Sequence, residues 1–236
     1  EADRSKHLYK LWNRLASGSY FPPPVKEVEI SRKDGKIRKL GIPTISDRVG
    51  QMVVKDYLEP RFEKIFSPNS YGYRPNKNAH QALESVRKNC WRQDWVIDLD
   101  IKGFFDNIDQ KKLMQAVEKH VPEQWAKMYI IRWLEAPVLK KTGELVTKQG
   151  RGTPQGGVLS PLLANLFLHY VLDKWLELTD PKVKLERYAD DAILHCNSKA
   201  HAEETLRKVQ TRIESCGLEL HPDKTKLVYC RDFRRM

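Results

Sequence analysis

Residues Lys184 to Cys196 read KLERYADDAILHC. Two β-rich runs flank the acidic pair Asp190-Asp191, a pattern that reads as two strands meeting in a tight turn. Adjacent carboxylates at a hairpin tip repel each other, and one would hold its proton to unusually high pH unless a cation sat beside the pair. A divalent metal removes the difficulty. Hard ions such as Mg²⁺ take oxygen ligands, commonly one or two carboxylates plus substrate phosphates. Taken alone, the pair also fits an ordinary solvated turn, where Asp is favoured for backbone reasons.

Working outward, a second acidic stretch lies upstream: residues 94–108 read DWVIDLDIKGFFDNI. Strand alternation puts Trp95, Ile97 and Leu99 on one face and Val96, Asp98 and Asp100 on the other. The pattern therefore does not choose between Asp98 and Asp100. Residues 150–160 (GRGTPQGGVLS) form a glycine-rich loop that lets backbone approach a ligand closely. Residues 25–42 read as a hairpin turning at Asp34-Gly35. It carries Lys26, Arg32, Lys33, Lys36, Arg38 and Lys39, and by itself fits a sheet edge protected by charge.

The rest of the chain reads as further short elements. Leu8, Leu11, Trp12 and Leu15 have helical spacing, and Gly18 stops that helix. A helix is expected over 47–63, capped by Ser46 and interrupted near Pro60, with Arg48 and Gln51 in its first turns, placed either to touch nucleic acid or to brace the structure around them, the second reading being preferred. Residues 70–75 (SYGYRP) form an aromatic loop, and a helix follows over 79–91 with Leu83, Val86 and Cys90 on one side. Asp109 suits the N-cap of a helix over 110–120, and another runs from 123 to 135. A second hairpin spans 137–149. Ser160 is placed to cap a helix over 161–178 that has proline at its first position. An amphipathic helix over 199–215 and a strand–turn–strand over 217–230 close the sequence.

The 236 residues are 40% apolar, enough for one large domain or two intimate subdomains. The net charge of +11 points to a polyanionic partner. Composition does not separate RNA, DNA and acidic membrane, but cations spread along the chain favour a folded groove. No apolar run approaches the ~20 residues that span a bilayer, and residues 1–10 lack a signal-peptide pattern. A cytoplasmic protein that avoids membranes is expected. Cys90, Cys196, Cys216 and Cys230 form no Cys-x-x-Cys and read as reduced thiols; His195 reads as strand packing.

Tyr-Ala-Asp-Asp at 188–191, residues 94–108 and Gly-Thr-Pro-Gln-Gly-Gly at 152–157 together resemble the reverse transcriptase family, most closely proteins encoded by mobile group II introns. The resemblance covers nearly the whole chain in the family's order. It implies an α+β fold of fingers and palm, the palm a split βαβ antiparallel sheet with helices on one face. Residues 1–93 would be fingers and 94–236 palm, with 137–152 returning to the fingers. Thumb and C-terminal domains are expected to be absent.

The activity implied is RNA-directed DNA polymerisation with two Mg²⁺ ions. Asp100, Asp190 and Asp191 would be the metal ligands, Asp100 and Asp190 bridging both ions and Asp191 more peripheral. Arg32 and Arg38 match positions that clamp the incoming triphosphate. The first is often lysine in the family, though arginine also grips phosphate, in a bidentate geometry. Phe105 matches the gate that excludes a 2′-hydroxyl. Gln155 and Tyr188 fall on the substrate side, and Lys224 where a lysine protonates the leaving pyrophosphate. Tyr71, Tyr73 and Arg74 would suit a template strand. Implied partners are an intron RNA template, a DNA primer and dNTPs, and a homodimer through the fingers is open. A second reading is an RNA-binding splicing cofactor (a maturase), although pure binding would not need all three acids. Phe105 argues against a third, an RNA-templated RNA polymerase.

Overall fold

A computed structural model describes residues 2–31, 35 and 37–230, with backbone only at Ala2 and Arg38. Helix α1 (Ala2–Ala16) follows the predicted apolar spacing and buries Leu11. Strands β1 (Val25–Ser31) and β2 (Ile37–Ile42) form the antiparallel hairpin. Helix α2 (Ile45–Glu63) starts two residues earlier than predicted, because Thr44 and not Ser46 caps it. The Thr44 hydroxyl oxygen accepts the Asp47 N–H, and the Asp47 carboxylate accepts the Thr44 N–H in return. Pro60 remains inside α2, which ends three residues later, so it does not interrupt the helix.

Helix α3 (Ala79–Cys90) is capped by Asn78. Of the side predicted to face inward, Val86 and Cys90 are half-buried and Leu83 alone is turned out. Leu83 is 65% exposed, while Ser85 and Asn89 donate hydrogen bonds to Glu186. Then come β3 (Trp95–Leu99), the single turn α4 (Phe104–Asn107), α5 (Gln110–Glu118), α6 (Gln124–Glu135), β4 (Val138–Leu139) and β5 (Leu145–Val146). Asp109 caps α5 as expected, accepting the Lys112 N–H at 2.9 Å. Strand β4 pairs in parallel with β1, giving a first sheet of order β2-β1-β4-β5.

The helix predicted over 161–178 runs without a gap over 160–179 but changes its winding part-way. Helix α7 (Ser160–Leu168) passes into a π-turn, His169–Asp173, before α8 (Lys174–Thr179). Ser160 is the first helical residue and not the cap; its hydroxyl donates to the Pro154 carbonyl at 2.8 Å. Strands β6 (Lys184–Tyr188) and β7 (Asp191–Cys196), helix α9 (Lys199–Ser215) and strand β8 (Lys226–Tyr229) complete the described chain. The second sheet has the order β6-β7-β3-β8 and is antiparallel throughout. Of the strand expected near 217–221, only a bridge between Leu220 and Ile101 forms.

Alternation along β3 decides where this sheet puts its core. Ile97, Leu99, Ala192 and Leu194 are buried together with Val209 and Ile213 of α9. Each large aliphatic side chain contributes roughly 1.5–3 kcal/mol on burial. On the opposite face α3 covers only the β6–β7 end. There His195 Nε2 lies 2.9 Å from Glu186 Oε2, off the line of a hydrogen bond. The end carrying Asp98, Asp100 and Asp191 stays open. The four cysteines are free thiols. Among the described residues no helix is long and apolar enough to cross a membrane.

Candidate active site

The β6–β7 turn is sharp because Ala189 takes a left-handed conformation, φ 57°, at a cost of about 1–3 kcal/mol for a residue with a Cβ. Gly72 packs directly on it: a Cβ at Gly72 would lie 2.4 Å from the Ala189 nitrogen. Residues 69–72 run alongside β6, with Arg187 N–H donating to Asn69 O and Tyr71 N–H to Arg187 O. Asp190 and Asp191 leave this turn toward the end of β3.

Asp100 sits one residue past β3 and is strapped by the 221–225 turn. His221 N–H donates to its carbonyl at 2.8 Å, and Thr225 Oγ1 exchanges hydrogen bonds with its backbone at 3.3–3.4 Å. Lys224 Nζ donates to Asp100 Oδ2 at 2.8 Å. Asp100, Asp190, Asp191, Tyr188 and Lys224 line one cleft of about 640 Å³, which Asp98 does not reach. That separates the two acids that alternation left equivalent. Partial burial raises the Asp191 pKa above the usual carboxylate value. Asp190 and then Asp100 push the same way, and Lys224 offsets them. A second cleft, about 670 Å³, opens beneath the π-turn, but its carboxylates Asp173 and Glu177 are paired with Arg187 and Lys174.

The floor of the acidic cleft is α4 and the glycine-rich loop zipped to it. Gly152 N–H donates to Ile108 O at 2.7 Å and Thr153 N–H to Phe105 O at 2.8 Å. Gly152 is needed here, since a Cβ would meet the Asp106 carbonyl at 2.8 Å. Phe105 packs its edge on Phe104 and core residues and borders the cleft. Gln155 Nε2 donates to Asp106 Oδ2 at 2.8 Å. Gln51 braces the loop by accepting the Val158 and Leu159 N–H groups. Gly41 N–H donates to Gln155 O at 2.7 Å, tying the hairpin to the same floor.

Residues 30–234 match the model of the reverse transcriptase (RNA-dependent DNA polymerase) family. This chain belongs to that family. The group II intron-encoded protein LtrA of Lactococcus lactis subsp. cremoris is 35% identical over 209 residues, which cover 88% of this chain and 34% of the relative. Protein YkfC of Escherichia coli (strain K12) is 30% identical over 269 residues, 98% of this chain and 70% of the relative. These relatives bear out the resemblance to group II intron proteins. The chain spans about a third of the length of the Lactococcus relative. A telomerase from Candida albicans shares the fold, with a TM-score of 0.68 at 14% identity over 89% of this chain and 42% of that one. The α+β fingers-and-palm fold is thereby borne out.

Within this reverse transcriptase fold, several predicted site residues come together and others do not. Asp100, Asp190, Asp191, Lys224, Phe105, Gln155 and Tyr188 share the cleft. Arg32 lies outside the described residues, as does the side chain of Arg38, whose backbone pairs with Ile30. Arg74 is committed to structure: its guanidinium binds the Glu63 carboxylate and the carbonyls of Ser67 and Ser70. Tyr71 is buried, whereas Tyr73 is 56% exposed and faces the cleft. Sequence reasoning missed Asp106, which orients Gln155; a lone acid inside an aromatic run was the available signal.

Among the described residues no group of three or more His, Cys, Asp or Glu forms a ready-made cation cage. The donors at the cleft are nonetheless hard carboxylate oxygens, the type Mg²⁺ takes. Asp100 already holds a cation, the Lys224 ammonium.

Proposed function

We propose that this chain is the polymerising part of a group II intron protein, an RNA-directed DNA polymerase that also grips intron RNA to assist splicing. The observation that carries this reading is the convergence of Asp100, just past β3, with Asp190 and Asp191 from the neighbouring hairpin, on one cleft walled by Phe105 and Gln155. In this reading residues 1–93 are fingers and 94–236 palm, and 137–152 return to the fingers. The parallel pairing of β4 with β1 supports that return.

Asp100, Asp190 and Asp191 would hold Mg²⁺, which when bound would supply the charge that neutralises the triphosphate and lowers the pKa of the primer 3′-hydroxyl. The protein's own share is positioning and charge. The Phe105 ring fills the place a 2′-hydroxyl would need. Gln155, its amide nitrogen held by Asp106, turns its carbonyl end to the sugar. Tyr188 borders the nucleotide, and Arg32 and Arg38 close on its phosphates. Lys224 rests on Asp100; its side chain is 56% exposed and swings to the leaving pyrophosphate to give it a proton. The +11 charge holds the RNA template and DNA product by their backbones, so binding weakens with salt.

The test is extension of oligo(dT) on poly(rA) with Mg²⁺ and dTTP, comparing wild type with Asp190→Asn/Asp191→Asn. Wild type should extend and the double variant should not. Equal extension by both would sink the metal assignment. Failure of a wild type that still binds intron RNA tightly would leave the splicing-cofactor reading. That reading draws on the net charge and on relatives such as nuclear intron maturase 1, mitochondrial, of Arabidopsis thaliana, 32% identical over 93 residues.

A further inference from the structure

Directly beneath the acidic turn lies a guanidinium sealed from water. Arg187 is 1% exposed, and strand alternation points it into the core while its neighbour Tyr188 faces the cleft. Its Nε and Nη2 donate to the two carboxylate oxygens of Asp173 at 2.8 and 2.7 Å. Its Nη1 donates to Asn165 Oδ1 at 3.0 Å and to the Ala189 carbonyl at 2.8 Å. Asn165 in turn donates to the Gly72 carbonyl at 2.8 Å. Asp173 is the last residue of the π-turn, a distortion that shifts the phase of the residues after it and recurs at functional sites.

A buried Arg–Asp pair is an expensive way to fill a core, since apolar residues of similar volume usually do as well or better. This pair reaches beyond packing. A left-handed Ala189 persists only where its surroundings over-determine it. Here they do so three ways: Arg187 grips its carbonyl, Gly72 abuts its nitrogen, and Asn165 fixes both Gly72 and Arg187.

We infer that Arg187, anchored by Asp173 and Asn165, is a positioning residue that holds the Ala189 turn and so aims Asp190 and Asp191 into the cleft. The inference rests on the proposed metal-binding role of those acids. Arg187 touches neither substrate nor metal and acts through the backbone of the turn.

Arg187→Lys keeps a positive charge opposite Asp173 but lacks the planar fork that serves Asp173 and the turn together. Mn²⁺ binding is measured by electron paramagnetic resonance on folded protein, well below each variant's Tm, counting only the part that Asp190→Asn abolishes. Affinity should fall about tenfold or more, as when a residue orienting a metal ligand is lost. In primer extension kcat should fall while KM for dTTP holds. Adding Ala189→Gly to Arg187→Lys should restore Mn²⁺ affinity and kcat, because glycine adopts the turn without a hold. A merely structural Arg187 predicts a lower Tm with Mn²⁺ affinity unchanged and no rescue by glycine, and that result overturns the inference.

If Arg187→Lys does not fold, Asn165→Ala, which leaves the Arg187–Asp173 pair in place, meets the same criteria. Wild type that extends primers while Arg187→Lys matches it in Mn²⁺ affinity and kcat would sink the positioning role alone. Wild type that binds Mn²⁺ through Asp190 and loses it on Arg187→Lys, yet extends nothing, would sink the polymerase reading alone. Wild type that binds no Mn²⁺ overturns both.

Discussion

The two sheets hold their charges in opposite ways. Strands β1 and β2 form a surface ribbon, with Ile30 and Ile37 48% and 62% exposed. Its ion pairs, Lys39–Glu27 at 3.4 Å and Lys141–Glu29 at 2.9 Å, set well-exposed lysines against glutamates that are 15% and 32% exposed, and surface pairs of this kind contribute about 0–1 kcal/mol. Under the palm turn, Arg187 and Asp173 form a pair with both side chains at most 2% exposed. Removing one partner of such a pair costs about 3–5 kcal/mol. The first sheet therefore offers charge on a ribbon held mainly by backbone bonds, and the second offers charge on a turn fixed from below. The proposed nucleotide clamp and the proposed metal site call for those two constructions respectively.

The comparison predicts that palm variants lose turnover and fingertip variants lose affinity. The largest effect is expected for Asp190→Asn, with kcat in single-turnover extension falling about 10³-fold and the Tm little changed. A rise in dTTP KM with kcat intact would break the distinction. Next comes Phe105→Ala. Discrimination between dTTP and UTP should shrink about 10- to 200-fold, and an unchanged ratio of kcat/KM values would remove the gate. Arg38→Ala should raise the dTTP KM about tenfold, the scale of one charged hydrogen bond, with kcat nearly constant. A fall in kcat alone would put Arg38 on the palm side of the comparison.

The smallest effect concerns the acids themselves. The Asp191 pKa is raised in the folded protein, first by partial burial and then by Asp190 and Asp100. The folded state therefore keeps this proton better than the unfolded chain does. The resulting stability is fully present below the unfolded value of 3.8 and is lost as pH rises through the folded pKa. At neutral pH the ionised carboxylate costs stability, so Asp191→Asn should raise the Tm of metal-free protein at pH 7. The gap between the two melting curves should close near pH 3.5 and on addition of Mg²⁺. A gap that persisted at acid pH would show that the gain had another source.

Much of this was legible in the sequence because it is local. Alternation of apolar and charged residues marks β3, Asp109 caps its own helix, and the alternating runs on either side of Gly35 pair as β1 and β2. Errors fell where two local signals competed. Thr44 and Ser46 are both good caps, and only the reciprocal bond from Asp47 decides between them. Leu83, on the predicted apolar stripe of α3, is turned out, while Ser85 and Asn89 of the same helix bind Glu186, about a hundred residues away. Arg74 looked available for a template and is spent on Glu63 and two carbonyls.

The sequence by itself determined which residue types the site would use: the acids of the Tyr-Ala-Asp-Asp stretch, an aromatic at 105 and a glycine-rich floor. Each is written into a run of consecutive residues, where periodicity and turn chemistry act over a few bonds. Alternation left Asp98 and Asp100 equivalent and the family resemblance favoured Asp100; the tertiary structure lines the cleft with Asp100 and not Asp98, because the 221–225 turn meets the chain just past β3. It alone brought Lys224 onto Asp100, 124 residues upstream, and placed Arg187 and Asp173 beneath Ala189. Contacts between distant segments depend on how strands register and helices pack, and no local pattern encodes them.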